Sequence, residues 1–197
     1  NHVAIIAVPD DAIRQAGLLL NLTSFTGLVV HTSGAQSLDV LQGFGRSQGV
    51  FYPLQTFSKE KAIDFTRVPW LLEAENSDLK TLMELASWFQ GAVIECDSDK
   101  RLQIHLAAVF ACNFSNHLFK ISEQLLQTTG ADLNHLSHLM QETVAKALDL
   151  SPEIAQTGPA KRNDQATIEK HLNLLKKNPD MAELYKMISQ QITEDYQ

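Results

Sequence analysis

An α/β domain with a largely parallel sheet, followed by an all-helical domain, is the fold class this sequence predicts. Three observations predict it. Short apolar runs at residues 3–8, 28–32, 68–73 and 92–96 read as buried strands. Helical patterns alternate with them, as strand–helix–strand units require. Beyond Asp97-Ser98-Asp99 the strand runs cease, and helical pattern continues to the end, broken by Gly130, Pro152, Gly158-Pro159 and Pro179. The boundary therefore falls at residues 97–99, and 197 residues are enough for two such domains, 1–98 and 99–197.

Each element has its own signal. Residues 3–8 carry no polar side chain, so they read as a fully buried strand, stopped by Pro9. Asp10 or Asp11 then caps a helix over 12–20. The strand at 28–32 ends in Ser33-Gly34, and a helix follows over about 37–44. A short strand at 49–52 is closed by Pro53. After the strand at 68–73, Ser77 caps an amphipathic helix over 77–90, and 92–96 is the last strand. The helical half divides into roughly 100–129, 132–149, 164–177 and 180–194.

Composition excludes several classes of function. A formal net charge of -7 without a run of Lys or Arg argues against a nucleic-acid partner. No apolar run reaches the length of a membrane span, and no signal peptide is expected. The two cysteines, Cys96 and Cys112, lie in apolar contexts and read as buried, reduced thiols of a cytoplasmic protein. The chain opens directly in a core-strand pattern, so further sequence is expected upstream.

The helix over residues 101–120 is apolar almost all round, which predicts burial at the centre of a domain. It nevertheless carries His105, Cys112, Asn113, Asn116 and His117. At about 100° per residue, His105, Cys112 and Asn116 share one line, with Asn113 beside it. Such a seam needs something polar to face: a structural network, a metal, or a ligand with a second domain above it. An imidazole exchanges protons near neutral pH, so His105 is the candidate acid or base, with Asn113 or Asn116 to orient a carbonyl.

Ligands of open α/β sheets sit outside the carboxyl ends of the strands. Val8-Pro9 and His31-Thr32-Ser33-Gly34 are two such ends, although ordinary strand-to-helix turns look the same. The segment Gly43-Phe44-Gly45 through Gly49 is glycine-rich but follows a helix, so it is a helix stop and not a phosphate loop. Tyr52, Pro53 and Gln55 form a loop able to line a pocket. Gln156, Thr157 and Gly158 open a turn in which Pro159 fixes the backbone, Arg162 is a fork for an anion, and Asp164 caps the next helix. His135, His138 and Glu142 share a helix face, but with neither HExxH nor a cysteine partner no metal is assigned.

Five stretches in order, AVPDDAI, VVHTSG, FYPLQTFSK, IHLAAVFACNFSNHLF and QTGPAKRND, resemble one family across nearly the whole chain. These are NADP oxidoreductases with a Rossmann-like N-terminal domain and a helical C-terminal domain of unknown function (domain of unknown function 2520). They are similar in architecture to pyrroline-5-carboxylate reductase and to deazaflavin-dependent NADP oxidoreductases. The resemblance implies a partial Rossmann-like domain. Its helical partner would be of the 6-phosphogluconate dehydrogenase C-terminal type and would form a homodimer. It also implies that residues 3–8 are the fourth strand of a dinucleotide fold, with the glycine-rich pyrophosphate turn upstream of this chain.

In that picture Val8, Pro9, His31, Thr32, Ser33 and Gly34 line the nicotinamide side of NADP or NAD. Tyr52, Pro53, Gln55, Gln156, Thr157 and Gly158 contact a small-molecule substrate at the domain interface. Related hydroxyacid dehydrogenases place a lysine one helical turn before an asparagine. Here Val109 precedes Asn113 and Cys112 precedes Asn116. Two functions follow as expectations: hydride transfer between nicotinamide and a small carbonyl, imine or hydroxy acid, or a non-catalytic nucleotide-binding or dimerisation scaffold on the same fold.

Overall fold

The computed structural model describes residues 2–197. By compactness the chain divides into two units, one up to Ser115 and one from Asn116 onward.

The first unit is built on a five-stranded sheet in the order β1 (Val3–Ile6), β2 (Leu28–His31), β3 (Ser47–Pro53), β4 (Trp70–Ala74), β5 (Val93–Glu95). The pairs β1–β2, β2–β3 and β4–β5 are parallel, while β3–β4 is antiparallel. Successive strand side chains point to opposite faces, and here both faces are covered. Leu28, Val30, Phe51, Trp70 and Leu72 pack with Leu79, Leu82 and Ala86 of α2 (Asn76–Ser87). Val29 and Ile6 pack on the other face with Ile13 of α1 (Ile13–Leu19), Leu22, Leu41 and Phe44. This two-sided burial explains why β2 reads as an unbroken apolar run.

Several local expectations need correction. β1 lies at the edge of the described sheet with one neighbour, so Ile5 is 48% exposed and only Ile6 is fully buried. The helix expected at 37–44 is a single 3-10 turn, Leu38–Leu41, capped by the Ser37 side chain. Gly43 and Gly45, both at positive φ, end it early. α1 and α2 begin without the expected Asp or Ser side-chain caps; Pro9 opens a 3-10 turn before α1, and Glu75 stands at the cap position of α2.

α3 (Ser98–Ala108) starts under a true cap, the Asp97 carboxylate accepting from the Lys100 amide at 2.8 Å. It passes into a π-helical stretch, Val109–Phe114, and α4 (Ser115–Leu126) continues from there. This helix is not the buried centre its composition predicts: Arg101 is its only buried residue. Leu102, Leu106, Phe110, Phe114 and Leu118 form an exposed apolar stripe at four-residue spacing. Cys112 is exposed as well, and Cys96 alone is buried. Composition fixes which residues are apolar, whereas burial also needs a surface to cover them.

The second unit comprises α4 with α5 (Ser137–Leu150), α6 (Pro152–Ala155), α7 (Gln165–Leu174) and α8 (Pro179–Asp195). Asp132 caps the turn before α5, and Asp164 caps α7 by accepting from the Thr167 amide at 3.1 Å. Thr193 near the end of α8 donates to the Ala160 carbonyl, and Tyr196 donates to that of Glu153. No helix among the described residues is long and apolar enough to cross a membrane.

Candidate functional site

The carboxyl ends of β1 and β2 lie side by side, with Ile6 in register with His31. Beyond β1 the chain runs through Val8 and Pro9, both exposed. Beyond β2 it makes a compact turn: the Ser33 hydroxyl accepts from the amides of Ala35 at 3.1 Å and Gln36 at 3.0 Å. Thr32 is partly exposed, Ser33 and Gly34 are buried, and His31 is wholly enclosed.

His31 Nδ1 accepts from the Ser33 amide at 3.1 Å, so the remaining ring proton sits on Nε2, which has no partner among the described residues. Desolvation, reinforced by the nearby Arg101 charge, depresses its pKa from 6.5 to about 4. The Ser37 backbone and the Asp10 carboxylate pull the other way. Ser37 does so without a hydrogen bond of good geometry to Nε2. His31 is therefore a neutral structural side chain at physiological pH.

Gly34 is the seat of the site. A Cβ there would lie 2.7 Å from His105 Nδ1, 2.7 Å from Tyr52 Cζ and 2.9 Å from Tyr52 Oη. Only a residue without a side chain lets phenol and imidazole close over this backbone. Tyr52, at the carboxyl end of β3, and His105, on α3, are both half-buried and meet at 3.2 Å between Oη and Nδ1. Their rings stand edge to face, with centroids 6.1 Å apart. Burial, aided by Asp10 and opposed by Arg101, raises the Tyr52 pKa, so the phenol is neutral through the physiological range.

One turn before His105, Arg101 supports this arrangement. It is 1% exposed and pairs with Glu73 at the end of β4, and its Nη2 donates to the Gln36 carbonyl at 2.5 Å. Glu73 also accepts from the amide and hydroxyl of Ser98, and the Ser98 hydroxyl accepts from the Leu38 amide. The post-β2 loop, β4 and the first turn of α3 are thus tied at one buried point. Sequence reasoning missed Arg101 and Glu73. The available signal was a lone Arg four residues before His105, on the same face of an apolar helix.

Among the other expected site residues, Pro53 adjoins Tyr52 at the strand end. Gln55 turns back on its own loop, accepting from the Thr56 amide at 2.7 Å. Asn113 is exposed in the π stretch. Asn116, Gln156, Thr157 and Gly158 belong to the second unit. There Asn116 is exposed, and the Gln156 amide donates to the Thr157 carbonyl. Gly158 holds φ +107°, a value that the turn requires. Of the three residues weighed as metal ligands, His135 completes the capping box with Asp132, and Glu142 pairs with Lys146.

A mostly parallel sheet covered on both faces, with a polar cluster at the carboxyl ends of its strands and a helical C-terminal part, defines a Rossmann-like α/β fold. The domain of unknown function DUF2520 matches residues 68–192, and the chain belongs to that family. Its structure is similar to that of BF3122 from Bacteroides fragilis, provisionally named an NADP oxidoreductase. That likeness has a TM-score of 0.87 and 36% identity, over 98% of this chain and 75% of that one. It is also similar to protein TM1727 from Thermotoga maritima (TM-score 0.84, 26% identity, 100% of this chain and 79% of that one). The likeness to a pyrroline-5-carboxylate reductase from Coxiella burnetii is looser, at 14% identity and a TM-score of 0.49 over 97% of this chain and 76% of that one. No curated protein matches the chain.

Proposed function

We propose that this protein is an NADP-dependent oxidoreductase moving hydride between a nicotinamide and a small carbonyl, imine or hydroxy-acid substrate. The observation that carries the reading is the Tyr52–His105 pair seated on Gly34, beside the carboxyl ends of two parallel strands. The name given to BF3122, 36% identical over nearly all of this chain, supports it. Val8 and Pro9 present bare apolar surface next to the Thr32–Gly34 turn, which fits the flat ring of a nicotinamide. When bound, the cofactor supplies the hydride; the protein supplies orientation and the proton, with His105 as its acid or base. Residues 1–98 would then form the nucleotide-binding domain and 99–197 the substrate and dimerisation domain.

The competing reading is a scaffold that keeps the fold without the chemistry. It is favoured by Val109 and Cys112, which stand one turn before Asn113 and Asn116 where related dehydrogenases carry lysine. Titration of NADPH and NADH into the full-length gene product, beside this chain and followed by nicotinamide fluorescence, separates the two. Saturable binding with a preference for one cofactor is expected. No binding of either up to about 1 mM, an affinity of only ~4 kcal/mol, moves the assignment to the scaffold.

The reading includes a cytoplasmic homodimer. Its support is the apolar stripe from Leu102 to Leu118, an unpaired face too continuous to be scattered surface residues. Light scattering should return twice the chain mass, and the Phe110→Asp/Phe114→Asp double variant should return the monomer. A wild-type monomer at micromolar concentration would refute the dimer.

A further inference from the structure

We infer that Tyr52 is the residue that passes the proton to the substrate, and that His105 reloads it through Nδ1. This rests on the reductase reading above and names the group that meets the substrate.

The Tyr52 oxygen lies 3.2 Å from His105 Nδ1 and makes no other hydrogen bond among the described residues. When Nδ1–H donates to Oη, the phenol's own hydrogen has no protein acceptor and is left for a ligand. Tyr52 ends a parallel strand at the face where ligands of such sheets collect. Gly34 fixes the phenol and imidazole against each other, so their contact does not depend on a mobile loop. The charged groups acting on the phenol are Asp10 and Arg101. Arg101 is committed to Glu73 and Gln36 and is not free to serve as the acid itself.

The step balances. A reduced nicotinamide supplies one hydrogen with two electrons to the carbonyl or imine carbon. The C=O or C=N π pair moves onto the heteroatom, which takes the phenol proton as the Oη–H bond breaks. The Nδ1 proton of doubly protonated His105 then forms a new O–H bond on Oη, leaving the ring neutral with its hydrogen on Nε2. Solvent returns one proton per turnover, and no phenolate persists.

The first arm of the test needs no substrate. The chain has only three tyrosines, Tyr52, Tyr185 and Tyr196, so ¹³Cζ-tyrosine spectra can be assigned by single Phe substitutions. During a pH titration the Tyr52 signal should move as the His105 ring protonates, followed by ¹⁵N-imidazole shifts. Tyr196, which donates to a backbone carbonyl, should not respond. The response should vanish in His105→Gln and in Gly34→Ala. A Tyr52 signal indifferent to His105 protonation overturns the pairing.

The second arm follows NADPH oxidation with small aldehydes, 2-oxo acids and cyclic imines. Tyr52→Phe should lower kcat by roughly 100-fold or more while leaving NADPH affinity within about twofold. His105→Gln, whose amide can still donate to Oη, should lose less and should lose the pH dependence of kcat. A Tyr52→Phe loss under about tenfold means that another group delivers the proton, and overturns the proposal. Failure of the wild type to bind NADPH sinks the reductase reading together with this step. Binding with an uncoupled titration sinks this step alone.

Discussion

Replacing Arg101 with Met will destabilise the first unit by about 3–5 kcal/mol, the cost of stranding one member of a buried ion pair. The guanidinium is 1% exposed, and its partner Glu73 is largely enclosed at the end of β4. Met fills the space of the aliphatic stem but leaves the carboxylate without its counter-charge and the Gln36 carbonyl without its donor. The double variant Arg101→Met/Glu73→Gln should lose less than the two single losses combined. Gln keeps an acceptor for the Ser98 amide and removes the uncompensated charge. Both tryptophans, Trp70 and Trp88, belong to the first unit, so urea unfolding followed by tryptophan fluorescence reports on it selectively. A single-variant loss below about 1 kcal/mol would show that water already shares this site and that the pair is surface-like.

The Arg101 network also links stability to the site. It joins the loop after β2 to the first turn of α3, and His105 sits one turn further along that helix. Loosening the network removes the constraint that presses His105 against Gly34 and Tyr52. The Tyr52–His105 coupling should accordingly weaken in Arg101→Met even under conditions where the variant remains folded.

The strands were the most legible part of the sequence. Runs such as Leu-Val-Val-His at β2 are apolar on both faces because both faces are covered, and local composition reports that directly. The helix expected at 37–44 is shorter than its pattern, because Gly43 and Gly45 at positive φ stop a turn that apolar periodicity alone would extend. The central helix departs from its expected burial for a different reason. Its stripe from Leu102 to Leu118 is apolar, but nothing local states whether this chain covers it.

Within the site, the Ser33-Gly34 turn was visible as a strand end, and His105 as a polar residue in an apolar helix. Their meeting was not visible, since the Tyr52–His105 contact spans 53 positions and Arg101–Glu73 spans 28. Pairings of that reach are set by where α3 begins and by the sheet order, and the sheet order has no local sequence signal. Ideal helical spacing aligns Asn116 with His105, and the π-helical stretch Val109–Phe114 that lies between them is not announced by that spacing.

Lowering the pH from 6.5 to 4 will cost the first unit up to about 3 kcal/mol through His31 alone, since a pKa depressed from 6.5 to about 4 is worth about 1.36 kcal/mol for each pH unit between the two values. The sign follows from proton linkage. The folded ring has its pKa depressed to about 4, so between the two values the unfolded chain binds the extra proton, and stability falls as pH falls. The contribution is complete above pH 6.5 and gone below about 4. His31→Asn removes the titration while keeping an oxygen able to accept from the Ser33 amide, as Nδ1 does. Urea midpoints of the two proteins should therefore diverge across this window, with the wild type losing more. The lowered carboxylates of Asp64, Asp132 and Asp164 act at still lower pH, and they are common to both proteins. Parallel curves for wild type and His31→Asn would show that the ring is reached by water and protonates in place. That result would also remove the reason for reading His31 as a neutral prop beneath the Ser33-Gly34 turn.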